Sequence, residues 1–151
     1  MYEVKNVIDV YRFEEGKGPN EINIEKIQEI STHNDDQDNP LIAAVQMRFS
    51  PDKDAKHVFC SNAGNDTVTI FDRDVETGLL TMKGSLPIAG IYPKDFCIFP
   101  DEKHIAVANH ESGSVTFFNV DYENGLLVMS ARDVQVDEPN CICMVKLPAG
   151  R

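Results

Sequence analysis

The stretch that decides the fold is Lys56 to Met82, KHVFCSNAGNDTVTIFDRDVETGLLTM, because it returns 47 residues later as Lys103 to Met129, KHIAVANHESGSVTFFNVDYENGLLVM. Of 27 aligned positions 12 are identical: Lys56, His57, Asn62, Val68, Thr69, Phe71, Asp74, Glu76, Gly78, Leu79, Leu80 and Met82 each find a twin. Self-similarity at such a period marks one supersecondary unit stacked on copies of itself. Chemistry particular to this chain is therefore sought where the copies differ.

Working outward, each copy holds four strand-like segments. Ala43 to Phe49 sets Val45, Met47 and Phe49 on one face, and His57 to Ser61 is a short apolar run. Thr67 to Phe71 is rich in β-branched and aromatic residues, and Leu80 to Leu86 follows a turn at Glu76-Thr77-Gly78. The next copy runs through Asp95 to Phe99, Ile105 to Ala108, Ser114 to Asn119 and Leu126 to Ser130, with Asn124-Gly125 as its turn. Four antiparallel strands per copy, at a period near those of the WD40 and kelch arrays, predict β-propeller blades in an all-β fold. Ser50-Pro51-Asp52 and Phe99-Pro100-Asp101 mark equivalent turns, the former lengthened by two residues, so the first strands are offset by 49.

Partial copies flank the complete ones. Val7 to Phe13 reads as the third strand of an earlier blade, Ile22 to Ile30 as its fourth, and Cys141 to Val145 as the first strand of a further one. The expected division is a partial blade over 1–40, blades over 41–88 and 92–135, and a lone first strand over 139–146. About eleven strands make somewhat under three blades, whereas rings close with about four to eight. Blades bury both faces against neighbours, so an open arc leaves apolar faces in water. The expectation is part of a larger propeller: the C-terminal part of a longer protein, or a chain that self-associates through exposed blade faces.

Composition narrows the partners. A formal net charge of −11 opposes sequence-independent attraction to nucleic acid or an anionic membrane. No apolar run approaches a membrane span and the first residues lack a secretory pattern, which makes cytoplasmic location the expectation. Cys60, Cys97, Cys141 and Cys143 form no CxxC pair and show no metal-ligand spacing with histidine. They read as free thiols buried in strands, where cysteine behaves as a small hydrophobe. The polar loop His33 to Asn39 reads as solvated, and Asp35, Asp36 and Asp38 lack the glycine and distal glutamate of a calcium loop.

The segments SPD at 50–52, HVFCSNAGNDTVTIFDRDVETGLLT at 57–81, YPKDFCIFPD at 92–101, HIAVANHESGSVTFFNVDYENGLL at 104–127 and PNCICMV at 139–145 resemble the seven-bladed propeller lactonase family. That family includes the propeller-type bacterial 6-phosphogluconolactonases and is related to the carboxymuconate cyclases. The resemblance runs from about Val7 to Val145, in the order of the family's C-terminal part. It implies a ring-shaped hydrolase opening a sugar lactone, with no cofactor and no catalytic metal.

In a propeller the loops joining second to third strands emerge on the same face as the entries to the innermost strands. Here these are Asn62 to Asp66, Asn109 to Gly113, and the approaches to Gln46, Asp95 and Cys141. Alignment of the blades makes Val45, Lys94 and Asn140 one set and Gln46, Asp95 and Cys141 the next, and differing residues at equivalent places point to a site. Lactone hydrolysis needs a base to activate water, and donors or positive charge where the carbonyl oxygen becomes anionic. Lys94 is the candidate cation and Asp95 the candidate base, with Gln46, Asn62, Asn109, His110 and Asn140 as substrate-binding groups. Each role has a structural competitor. Lys94 can solvate a loop or pair with Asp95, Asp95 can bond backbone amides, and Asn62 and Asn109 can shape turns. His57 and His104 recur at one blade position and read as structural, whereas His110 has no histidine twin at Ala63.

Departures from the family pattern fall on the same positions. An A-E-I run in the innermost strand has become Val45-Gln46-Met47, an SNRG turn has become Ser61-Asn62-Ala63-Gly64, and PRDF has become Pro93-Lys94-Asp95-Phe96. These changes remove a basic carboxylate and one arginine, and replace a two-pronged guanidinium by an ammonium. They predict lactonase activity that is weak, altered in substrate or absent. The alternatives are a non-catalytic propeller fragment or binding module, and a partial propeller that self-assembles.

Overall fold

The computed structural model describes residues 1–16, 18, 21–34 and 41–145, and among these it shows ten strands in three antiparallel sheets and no helix. A hairpin of β1 (Val7–Glu15) and β2 (Ile22–Ser31) precedes a four-stranded sheet of β3 (Ala43–Phe49), β4 (His57–Ala63), β5 (Thr67–Arg73) and β6 (Leu80–Pro87). A second four-stranded sheet follows, built from β7 (Pro93–Ile98), β8 (His104–Asn109), β9 (Ser114–Asp121) and β10 (Leu126–Gln135). In both, strands lie in chain order, each paired with the next, as a propeller blade requires.

The two sheets repeat rung by rung. Val68 pairs with Ser61, and their counterparts Val115 and Ala108 pair in the same way. Both innermost strands open with a bulge, where the register shifts between Ala44 and Gln46 in β3 and between Pro93 and Asp95 in β7. Val45 and Lys94 are the residues these bulges set out of the ladder, and a bulge re-aims a side chain.

The middle sheet is covered on both faces, which is why β4 and β5 read as apolar runs rather than as alternating strands. Val58, Cys60, Phe71 and Leu80 pack with Ile8 of the hairpin, while Phe59, Val68 and Ile70 pack with Phe96, Ile105, Val107 and Phe118 of the last sheet. Hydrogen bonds reinforce these contacts. The side-chain amide of Gln28 on β2 donates to the Leu80 carbonyl at 2.7 Å and accepts from the Leu80 amide at 2.8 Å.

Two expectations need correction. Asn62 and Asn109 are not loop residues: they close β4 and β8, paired with Thr67 and Ser114. Cys141 to Val145 forms no ladder, and its contact with β7 runs through a side chain instead, the Ile142 amide donating to Asp95 Oδ2 at 3.0 Å. Consequently Cys141 and Cys143 are exposed and Cys97 is half-buried, leaving Cys60 as the thiol that is buried as expected. Residues 35–40, with Asp35, Asp36 and Asp38, and residue 146 lie outside the described residues.

Candidate functional site

Tyr92, at the entry to β7, has a φ of 59°, a left-handed backbone that is costly for a bulky side chain. Neighbouring loops hold it there. Its amide donates to Asp66 Oδ1 at 2.9 Å and its carbonyl accepts the His110 amide at 2.9 Å, so the turn of the middle sheet and the β8–β9 turn both fasten it. Such conformations cost about 1–3 kcal/mol and persist only where the surroundings determine them.

The ring so positioned gathers two of the sequence candidates. Lys94 Nζ, carried on the β7 bulge, lies 5.1 Å from the Tyr92 ring centroid, within cation–π range. His110 stands edge-on at 5.7 Å between ring centroids, and its Nδ1 is buried without a hydrogen-bond partner among the described residues. Beside this cluster is a depression of about 370 Å³ whose walls include Ala43, Ala63, Gly64, Asp66, Tyr92 and Glu111. Gly64 has a φ of 86°, and a Cβ there would sit 2.3 Å from the Leu41 carbonyl oxygen, so that wall is bare backbone. Ala63, at the place of the arginine in the SNRG pattern, faces the same depression.

Asp95 and Gln46 belong to a different arrangement, a belt across the innermost strands. Asp95 is buried, and its Oδ1 accepts from Arg48 Nη2 at 2.7 Å, from the Phe96 amide at 2.8 Å and from Gln46 Nε2 at 3.2 Å. Its Oδ2 accepts from the Ile142 amide, and Arg48 Nε donates to the Phe96 carbonyl at 2.6 Å. Burial opposes ionisation of this carboxyl, but the Ile142 amide, the Arg48 guanidinium and the Phe96 amide outweigh it and hold the group below the usual aspartate value. A carboxylate so fully engaged is a weak proton acceptor. The cation it pairs with is Arg48, not Lys94.

Asn62 and Asn109 have no accessible surface, and their amides form a clasp within and between sheets. Asn62 Nδ2 donates to the Thr32 carbonyl at 2.9 Å and to the Thr67 and Thr69 hydroxyls at 3.2 Å each, while Thr69 Oγ1 also donates to Thr32 O at 2.6 Å. In the last sheet Asn109 Nδ2 donates to Thr116 Oγ1 at 3.1 Å, and Thr116 Oγ1 donates to the Ile88 carbonyl at 3.1 Å. Thr32 and Ile88 each stand just past the last strand of the preceding sheet. Asn140 is exposed, bonds the Glu138 carbonyl at 3.0 Å and joins neither arrangement. His57 and His104 lie elsewhere, paired with Asp72 and Asp101.

Sequence reasoning missed Arg48 and Tyr92. Arg48 carried a signal, a cation two residues from Gln46 in the strand expected to be innermost. A left-handed tyrosine gives none, because nothing in a side chain's identity announces an enforced φ.

Comparison with known proteins agrees with this architecture. The profile of the lactonase, 7-bladed beta-propeller family matches residues 1–144. None of the curated proteins matches the chain. Among solved structures, a candidate 6-phosphogluconolactonase from Bacteroides fragilis superposes with a TM-score of 0.78 at 28% identity, over 95% of this chain and 37% of the other. Another from Bacteroides uniformis gives 0.75 at 27%, over 92% and 37%. A periplasmic gluconolactonase from Pseudomonas aeruginosa gives 0.81 at 20%, over 97% and 38%, a likeness of fold. The chain thus spans less than two-fifths of the length of these structures. Matched over nearly all its residues, and built of blades with the expected strand order and register, it belongs to the seven-bladed β-propeller lactonase family.

Proposed function

We propose that the depression beside Tyr92 is part of the substrate site of a lactone hydrolase, and that its substrate is a sugar lactone without a phosphate. The observation that carries this reading is the Lys94 ammonium poised over a conformationally enforced ring at the edge of that depression. In hydrolysis the carbonyl oxygen gains negative charge as water adds, and a cation fixed beforehand stabilises it without reorganisation. His110, with a free ring nitrogen in the same cluster, is the group that meets the attacking water or the ring oxygen as it leaves. Asp95 serves as the tie of the inner strands.

The walls favour a neutral sugar. Asp66 and Glu111 line the depression, and alanine stands where the family pattern has an arginine. A phosphate would face two carboxylates and lack a guanidinium partner.

The test is hydrolysis of glucono-δ-lactone and 6-phosphogluconolactone by the protein, followed by acid release. The expected result is a higher kcat/KM for the unphosphorylated lactone, with Lys94→Ala lowering it at least tenfold, about 1.4 kcal/mol on the barrier. Preference for the phosphorylated lactone overturns the substrate assignment. No turnover above the spontaneous rate overturns the hydrolase reading.

A further inference from the structure

Beyond β10 the chain returns to the inner edge of the last sheet and follows β7. The Ile142 amide donates to Asp95 Oδ2 at 3.0 Å, with Cys141 beside that carboxylate and Met144, two residues on, beside Cys97. Further along, Met144 and Val145 line a shallow hollow with Phe99, Pro100 and Asp101. Segment and strand therefore run side by side, which brings Cys143, between Ile142 and Met144, to the neighbourhood of Cys97. Position for position, these thiols continue the row that begins at Arg48, so the belt that is ionic at one level is sulfur at the next. Cys143 is exposed and Cys97 half-buried, whereas Cys60 is shut inside the middle sheet and its thiol is pushed up to about 12 by burial.

We propose that Cys97 and Cys143 form an oxidisable pair, a modification site at which a low-molecular-weight disulfide closes a covalent bond between β7 and the segment beside it. Accessibility sets the order of events. The Cys143 thiolate attacks one sulfur of oxidised glutathione, forming a mixed disulfide and expelling one glutathione thiolate. The Cys97 thiolate then attacks the Cys143 sulfur and expels the second. Two protein thiols lose two electrons, the glutathione disulfide gains them, and the two thiol protons end on the two glutathione molecules released. Burial raises Cys97 above the ordinary thiol value, which suits it to the second, intramolecular step, where proximity offsets a small thiolate fraction. Among the described residues no group of three or more His, Cys, Asp or Glu is arranged to hold a metal ion.

The experiment treats the native protein with oxidised glutathione, blocks remaining thiols, digests it and maps linked peptides by mass spectrometry. A Cys97–Cys143 link short of two hydrogens, reversed by dithiothreitol, is expected. Cys141→Ser should retain the link. Cys143→Ser should abolish it while keeping the far-ultraviolet circular dichroism of the parent, which separates loss of the bond from loss of the fold. Glutathione left unresolved on Cys143, a Cys141–Cys143 link, or no reaction at either residue overturns the proposal. So does a Cys97–Cys143 yield in urea equal to that of the folded protein, since the pairing must come from the native register.

Discussion

In the middle sheet the Asn62 amide reaches across to Thr32 of the hairpin, whereas its twin Asn109 stays within its own sheet and leaves Oδ1 buried without a partner. The same contrast holds for packing. Phe59 fills the space between the two four-stranded sheets, and its counterpart on the last sheet is Ala106. Where both copies keep a buried residue, as with the paired asparagines or Phe71 and Phe118, the side chain serves the fold. Chemical variety falls on the inner strands, where Gln46, Asp95 and Cys141, or Arg48, Cys97 and Cys143, occupy matching places, and just past the paired asparagines, where His110 stands at the place of Ala63.

The largest effect should come from removing what the middle sheet has and the last lacks. Phe59→Ala opens a cavity between the sheets and is expected to cost about 3–5 kcal/mol in urea denaturation. A cost below about 1 kcal/mol would mean that the two sheets do not share a core. The asparagines sharpen the comparison at smaller scale. Asn62→Ala strands buried hydroxyls and removes a bond between sheets, for an expected loss of about 2 kcal/mol, against about 1 kcal/mol for Asn109→Ala. Equal losses would dissolve the distinction between an amide that itself crosses sheets and one that reaches the preceding sheet only through Thr116.

The smallest effect is a dependence on pH. The folded-state value of Asp95 is held below the ordinary 3.8, so its ionisation stabilises the fold fully at neutral pH. That stabilisation declines as pH falls below 3.8 and is gone once pH passes the lowered folded value. Asp95→Asn should flatten this part of the stability profile and leave the slope above it unchanged. An unaltered acid limb would show that the belt around Arg48 contributes nothing through charge.

Much of the fold was legible because repetition makes independent segments vouch for one another. A single run such as Thr67 to Phe71 fits several structures, but its recurrence in register with turns at Gly78 and Gly125 fits few. Asn62 was misplaced because asparagine tolerates left-handed backbone and so reads as a turn residue, and the competing option, an amide bonded to hydroxyls within the sheet, becomes visible only once Thr67 and Thr69 are known to lie on the neighbouring strand. Cys141 to Val145 has the composition of a strand but lacks a described neighbour to complete a ladder, and composition carries no information about partners. At the candidate site, Lys94 and His110 could be singled out by their difference from their twins, and Ala63 by its departure from the SNRG turn of the family pattern. Arg48 and Tyr92 matter through what surrounds them, the first through a carboxylate 47 residues away and the second through a backbone angle set by two loops.

The recurring bulge has a consequence for how such a molecule changes over generations. Val45 and Lys94 occupy a point where the main chain is fixed by its neighbours yet the side chain answers to no cross-strand companion. Exchange of one residue for another there leaves the ladder intact, so new reactivity can be tried without endangering the architecture that displays it.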